Sequence, residues 1–351
     1  MKPQKKQTVY VGLSGGVDSS VTAALLKEQG YHVVGVYMKN WSKDLPGMPC
    51  PWKEDYQDAK RVAVQLGIDF KMYDFQVEYQ QKVVDYMIAE YQAGRTPNPD
   101  IMCNQEVKFR LFLDTALADG ADLIATGHYA RIQDGQLLVA ANAEKDQTYF
   151  LCRVTEDALK KSLMPIGDYK TKAEVRALAK KLGLTTAEKK DSQGICFVGK
   201  VGIRDFLSQY VTTELGVIKE QHGVAIGEHD GAIFYTIGQR HGLNVGGGLP
   251  YYVTGKDMAK NEVYVTTNLN DENLWKQELA LTDVHWINGQ PNLDKKYQVR
   301  TRYRAPLVSC TIEQADTGIR LILDEQVRAI TPGQSAVIYD KDTVLGGGIV
   351  V

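Results

Sequence analysis

Hydrophobic and polar positions alternate along the first half of the chain in two rhythms. Apolar runs at residues 8–13 (TVYVGL), 31–38 (YHVVGVYM) and 121–126 (ADLIAT), with a shorter one at 69–73, read as buried strands. Between them apolar residues recur every three or four positions, predicting helices over 19–29, 55–66, 77–91 and 108–118. Gly30 and Gly67 end the first two. Strand–helix alternation of this kind predicts a parallel sheet with crossover helices. Past about residue 200 the rhythm changes. Short stretches at 232–237, 262–267, 297–303, 319–323 and 335–339 are separated by glycine- and asparagine-rich turns. They predict a small β-rich module followed by an antiparallel barrel. The expected division is 1–202, 203–275 and 276–351.

The length of 351 residues suits two or three domains. No apolar run approaches the roughly 20 residues of a membrane helix. The basic, polar residues 1–10 lack the apolar core of a signal peptide, so a cytoplasmic protein without membrane partners is expected. A net charge of −2 argues weakly against nucleic-acid binding, but charge is locally concentrated. Lys160, Lys161, Lys170, Lys172, Arg176, Lys180, Lys181, Lys189, Lys190 and Lys200 face only Asp168, Glu174, Glu188 and Asp191. Such a run suits a solvated helical face as well as an RNA-facing one.

The strongest motif is Ser14-Gly15-Gly16-Val17-Asp18-Ser19-Ser20, between the first strand and first helix. Glycines there let backbone N–H groups approach phosphate, and the helix N-terminus favours negative charge. The serine hydroxyls add donors. The GKS/T ending of a Walker loop is missing.

The five cysteines, Cys50, Cys103, Cys152, Cys196 and Cys310, form no CxxC pair, which disfavours a zinc ribbon. Cys103 follows Arg95-Thr96-Pro97-Asn98-Pro99-Asp100, where two prolines forbid a helix across Asn98. Asp100 and Cys103 share one face if a helical turn starts after Pro99. Cys196 follows Gly194, which permits a tight, mobile turn. Two cysteines on mobile loops would suit sulfur transfer, because a thiolate is a strong nucleophile and can carry a persulfide. Cys152 and Cys310 sit in apolar company and read as core; Cys50 stays open.

The loop resembles that of the N-type ATP pyrophosphatases, which cleave ATP between the α- and β-phosphates and adenylate an acceptor oxygen. SGGVDSS, GRTPNPD…CN, TGHYAR, KDQTYFL, GICF, FYTIGQR and ITPGQ together resemble, in order, the bacterial tRNA-specific 2-thiouridylases and their mitochondrial counterparts. The resemblance runs from about Tyr10 to Gly348. It implies an α/β N-terminal domain with a parallel sheet and a PP-loop fold like the adenine nucleotide alpha hydrolases. A small central domain and a C-terminal antiparallel β-barrel would follow.

The resemblance implies that Gly12, Leu13, Ser14, Gly15, Gly16, Val17, Asp18 and Ser19 bind ATP with its Mg²⁺, helped by Met38 and Gly127. Asn98, Pro99 and Asp100 would contact the target uridine. Cys103 would be the first catalytic cysteine, Cys196 the persulfide carrier, and Asp100 would manage a proton or orient the base. Lys145, Asp146, Gln147, Arg302 and Tyr303 would touch tRNA, expected to be the Lys, Glu and Gln acceptors. A sulfur-relay protein would donate the persulfide. The sequence departs from relatives at Ala305 and Gln193, neither of which removes a reactive group. Three other readings remain at this stage. One is a small-molecule ATP pyrophosphatase, and another a non-catalytic tRNA binder. The third is an iron–sulfur enzyme using Asp100, Cys103 and Cys196, disfavoured because cluster ligands are usually closely spaced cysteines.

Overall fold

The structure is a computed structural model and describes residues 6–44, 49–190, 202–220, 222–243, 245–246 and 248–351. In the N-terminal domain β1 (Thr8–Gly12), α1 (Val17–Glu28), β2 (His32–Lys39), α2 (Trp52–Leu66), β3 (Asp69–Asp74) and β4 (Leu123–Ala125) follow one another. The hairpin β5 (Arg131–Gln133) and β6 (Gln136–Leu138) comes next, then β7 (Ser162–Leu163). Strand order is β3-β2-β1-β4-β7, and every pairing is parallel. Val9 and Val11 of the central strand are fully buried, as a strand covered on both faces requires. The order reverses between β1 and β4. Their carboxyl ends therefore open the crevice where ligands bind in sheets of this kind.

Two helices differ from the periodicity. The helix over 76–92 is interrupted by a π-helical segment, Gln80–Val84. The one expected at 108–118 begins already at Pro99, and its middle, Cys103–Leu111, is π-helical. Cys103 therefore lies within a helix and is 2% exposed, against the expected mobile loop. The Asn98 side chain caps this helix, accepting from the N–H groups of Asp100 (3.1 Å) and Ile101 (3.4 Å). Pro99 occupies the first turn, where its missing N–H costs nothing.

The central domain pairs β8 (Gly216–Glu220), β9 (Ala225–His229), β10 (Tyr252–Asp257) and β11 (Glu262–Thr266) in the order β10-β11-β8-β9. The strand expected at 232–237 is instead a 3₁₀ turn, Ala232–Phe234, preceded by Gly231 with φ +139°. Residues 232–235 are all buried, so no alternation separates the two faces.

The barrel comprises β12 (Trp275–Trp286), β13 (Tyr297–Arg300), β14 (Val308–Gln314), β15 (Ile319–Arg328), β16 (Ser335–Asp340) and β17 (Thr343–Val350). Their antiparallel order β12-β15-β14-β13-β16-β17 closes through β12–β17. β13 stops at Arg300, short of the expected 303. The β5–β6 hairpin joins the barrel edge, pairing Leu138 with Thr343 and Leu137 with Val344.

The three units meet at Thr96. Its N–H donates to Pro332 O (2.9 Å), and its hydroxyl lies 3.1 Å from that of Thr236. Gln334 Nε2 donates to Thr96 O at 2.8 Å. Gly333, at φ +89°, passes so close that a Cβ there would stand 2.8 Å from Thr96 N.

Candidate functional site

The SGGVDSS loop leaves β1 at the crevice and enters α1. Gly15 adopts φ +78°, and a Cβ there would stand 2.5 Å from Asp55 O, at the start of α2. Ser19 and Ser20 turn inward: their hydroxyls donate to Gly16 O at 3.1 and 2.7 Å. Ser14 is exposed, with its Oγ 3.2 Å from that of Ser19. Leu13 and Val17 are buried, so any ligand contact they make is through backbone. The sheet brings the other expected ATP residues to the same place. A Cβ on Gly12 would be 3.0 Å from Met38 Cε, and one on Gly127 2.7 Å from Ser19 N. A bare glycine at 127 lets β4's carboxyl end close onto the loop.

Asp18 is held by two partners far away in sequence. Lys172 Nζ lies 2.7 and 2.6 Å from its carboxylate oxygens, and Tyr129 OH donates at 3.0 Å. Thr171 caps the helix Lys172–Lys181 through its side chain, which fixes the lysine at that helix's first position. The rest of the basic run is also partly engaged. Lys189 pairs with Asp55 (2.7 Å) and Asp58 (2.6 Å), and Arg176 donates to Ala187 O and Lys189 O.

The helix over 99–118 supplies a second strip. Asp100, Asn104 and Lys108 follow one another at spacings of four, with Cys103 beside Asn104 in sequence. Burial raises the Asp100 carboxyl above the usual range, offset in part by the Lys108 charge. His128 is buried, and desolvation, with Lys108 adding to it, keeps its imidazole neutral well below its ordinary range. Its Nδ1 lies 2.8 Å from Thr126 Oγ1. Long π-helical stretches are uncommon and concentrate at functional sites; this one starts at Cys103. Cys196, the other expected catalytic cysteine, lies outside the described residues, as does Gln193.

The residues expected to touch tRNA converge across the barrel boundary. Tyr303 stacks obliquely on Phe150, ring centroids 4.4 Å apart, and Arg300 lies 3.8 Å from Asp146. Asp146 is buried, accepting from Ala140 N–H (2.9 Å) and Thr148 Oγ1 (2.7 Å). Gln147 Oε1 accepts from Tyr129 N–H at 2.9 Å, while Lys145 is half-buried beside them. Arg302 donates to Ile237 O (2.9 Å) and to Thr331 Oγ1, bridging barrel and central domain.

Residues 7–200 match the family described as tRNA methyl transferase HUP domain. Residues 204–267 match its PRC-barrel domain, and 276–350 the aminomethyltransferase beta-barrel domain. The tRNA-specific 2-thiouridylase MnmA 2 of Geobacillus kaustophilus is 47% identical over 356 residues, covering 99% of this chain and 96% of the relative. The tRNA-specific 2-thiouridylase MnmA of Bacillus cereus is 46% identical over 349 residues, covering 97% and 94%. The chain belongs to the tRNA-specific 2-thiouridylase family. The motif resemblance is thereby confirmed, and the expected sequence of a parallel-sheet α/β domain, a central domain and an antiparallel β-barrel is present.

For a 2-thiouridylase family member, sequence reasoning missed Lys172, Lys108 and His128. Lys172 stood within the basic run, Lys108 at the start of an expected helix and His128 within the TGHYAR motif, but none has a spacing that announces its partner. Of the remaining cysteines, burial pushes the Cys152 and Cys310 thiols up to about 12, which suits inert core positions. Cys50 is half-buried, and its thiol is also raised, mainly by burial. Among the described residues no group of three or more His, Cys, Asp or Glu could hold a metal ion, and no helix is long and apolar enough to cross a membrane. A cavity of about 880 Å³ opens beside the β5–β6 hairpin, lined by Tyr31, Arg131 and Lys160 among others, and none of the expected ATP, base or tRNA contacts lines it.

Proposed function

We propose that this chain is a tRNA-uridine 2-sulfurtransferase, replacing the C2 oxygen of the wobble uridine with sulfur at the expense of ATP. The observation that carries the reading is a juxtaposition. The SGGVDSS loop occupies the switch point of a parallel sheet, within a chain similar over nearly its whole length to named tRNA-specific 2-thiouridylases. Oxygen is a poor leaving group from C2, so it must first be activated. In the proposed sequence O2 attacks the α-phosphate of ATP, supplied with Mg²⁺, and pyrophosphate leaves. The loop's backbone N–H groups and the α1 N-terminus hold the phosphates.

Sulfur then arrives on Cys196 as a persulfide, delivered by a sulfur-relay protein. Its terminal sulfur attacks C2 and the oxygen departs with AMP. Cys103 attacks Cys196 Sγ, releasing the base-bound sulfur as the thiocarbonyl and leaving a Cys103–Cys196 disulfide. A reductant must restore both thiols each turnover. Asp100, raised by its buried setting, is suited to hold or pass a proton at the base edge. The base leaves the anticodon stack so that C2 reaches both ATP and thiol. Lys145, Asp146, Gln147, Arg302 and Tyr303 form the proposed contact region for tRNA(Lys), tRNA(Glu) and tRNA(Gln).

Pyrophosphate release tests the adenylating half. It should depend on unmodified tRNA and be indifferent to ammonia or free amino acids. Release stimulated by a small amine or amino acid without tRNA would instead make the chain a small-molecule synthetase.

A further inference from the structure

Asn104 follows Cys103 directly and is 3% exposed. Its amide nitrogen donates to Phe150 O at 3.2 Å. That bond fixes the amide's orientation, because the flipped form would set two carbonyl oxygens against each other. Asn104 Oδ1 is thereby left as a buried acceptor with no hydrogen-bond partner among the described residues. Buried polar atoms are paired in the great majority of cases, so an orphan of this kind asks for an external partner. Asn104 lies four residues after Asp100 and four before Lys108, one position beyond Cys103. The Phe150 carbonyl that holds the amide belongs to the residue on which Tyr303 stacks. The helix strip and the aromatic pair are thus joined through this one side chain.

We infer that Asn104 reads the identity of the target base, its Oδ1 accepting from the N3–H of uridine. The inference rests on the proposed thiolation. Uridine presents a donor at N3, flanked by the O2 and O4 acceptors. Cytidine presents a lone pair at N3, which would face the Oδ1 lone pairs. A buried acceptor at this point admits uridine and rejects cytidine without any contact to C2, leaving that atom free for chemistry. Single-stranded bases are commonly read on this Watson–Crick edge, and sites built around a hydrogen bond discriminate strongly against partners that cannot make it. Binding of the base would satisfy Oδ1, so the orphan belongs to the free protein alone.

The test compares full-length wild type and Asn104→Ala on tRNA carrying uridine or N3-methyluridine at the wobble position. The readout is the dissociation constant of each tRNA measured without ATP, because N3-methylation also blocks the proton loss that O2 adenylation requires. Wild type should bind the uridine tRNA tighter by at least about tenfold. The variant should lose about tenfold or more on uridine and bind the two tRNAs within about threefold of each other. A purely structural role would weaken both and leave the ratio unchanged, which overturns the inference. Wild type that binds the N3-methyluridine tRNA as tightly as the uridine tRNA also overturns it, whether or not the variant folds. Absence of thiolation on uridine by wild type would be a failure of the proposed function, distinct from either result.

Discussion

Lys172 Nζ stands 2.7 and 2.6 Å from the two carboxylate oxygens of Asp18, an ion pair between the helix Lys172–Lys181 and the SGGVDSS loop. The pair is mostly shielded from solvent, with side-chain exposures of 15% and 30%. It cancels the one negative charge in a loop proposed to receive a polyanion, and it aims the carboxylate together with the Tyr129 hydroxyl.

Replacing Lys172 by Met should leave Asp18 uncompensated against incoming phosphates. Removing one partner of a partly buried pair costs about 1–3 kcal/mol. Steady-state kinetics should show tRNA-dependent pyrophosphate release falling at least about tenfold, with a raised KM for ATP. Unchanged kinetics would reduce the pair to a stabilising contact.

Gly127→Ala probes the same loop from the other side. The added Cβ would stand 2.7 Å from Ser19 N and 2.8 Å from Asp18 C, both rigid backbone. The loop must shift, so nucleotide binding measured by calorimetry should weaken by about tenfold or more while the far-ultraviolet circular dichroism is retained. A displacement of only ~1 Å at a reacting centre can cost about a hundredfold in rate.

His128 gives a pH signature. Its folded pKa is depressed by burial, while an unfolded histidine titrates near about 6.5. Below that value the unfolded chain takes up a proton that the folded one refuses, so stability falls as pH drops. It is fully present above the unfolded pKa. Urea midpoints compared between wild type and His128→Asn should show a shallower loss below about pH 6.5 in the variant. Parallel curves would mean that His128 is not a source of the acid sensitivity.

Asp100 has the opposite sense. Burial raises its carboxyl, so the folded protein binds the proton more tightly than the unfolded chain does. Stability from this group is lost as pH rises through the folded pKa. Asp100→Asn should therefore be more stable than wild type near neutrality, with the gap closing in acid, while thiolation falls. Equal stability at both pH values would contradict the desolvation argument.

How much of this was written in the sequence depends on the range of each interaction. The α/β alternation and the glycines at 15, 30 and 67 are local, and the sequence shows them directly. Lys172 was legible only as a member of a basic run, since its partner Asp18 lies 154 residues away. Cys103 looked like a loop residue because the flanking prolines break any helix before it. The Asn98 cap restarts one at Pro99, and the burial of Ile101 and Val107 beside the cysteine follows. Residues 232–235 misled in another way. With every side chain buried, the segment carries no period to distinguish a turn from a strand. Arg302 shows a further limit. Its proposed contact with tRNA came from the family resemblance alone, and its bonds to Ile237 and Thr331 depend on how two domains dock.

The most direct measurement of the central claim is a mercury-gel assay. Pure protein would be incubated with ATP, Mg²⁺, a persulfide source and unmodified tRNA(Lys) transcript. The account predicts a retarded, thiolated band that disappears when ATP is omitted or when the wobble uridine is replaced by cytidine. No retarded band from folded protein that binds ATP, or retardation that persists with cytidine at that position, would contradict it.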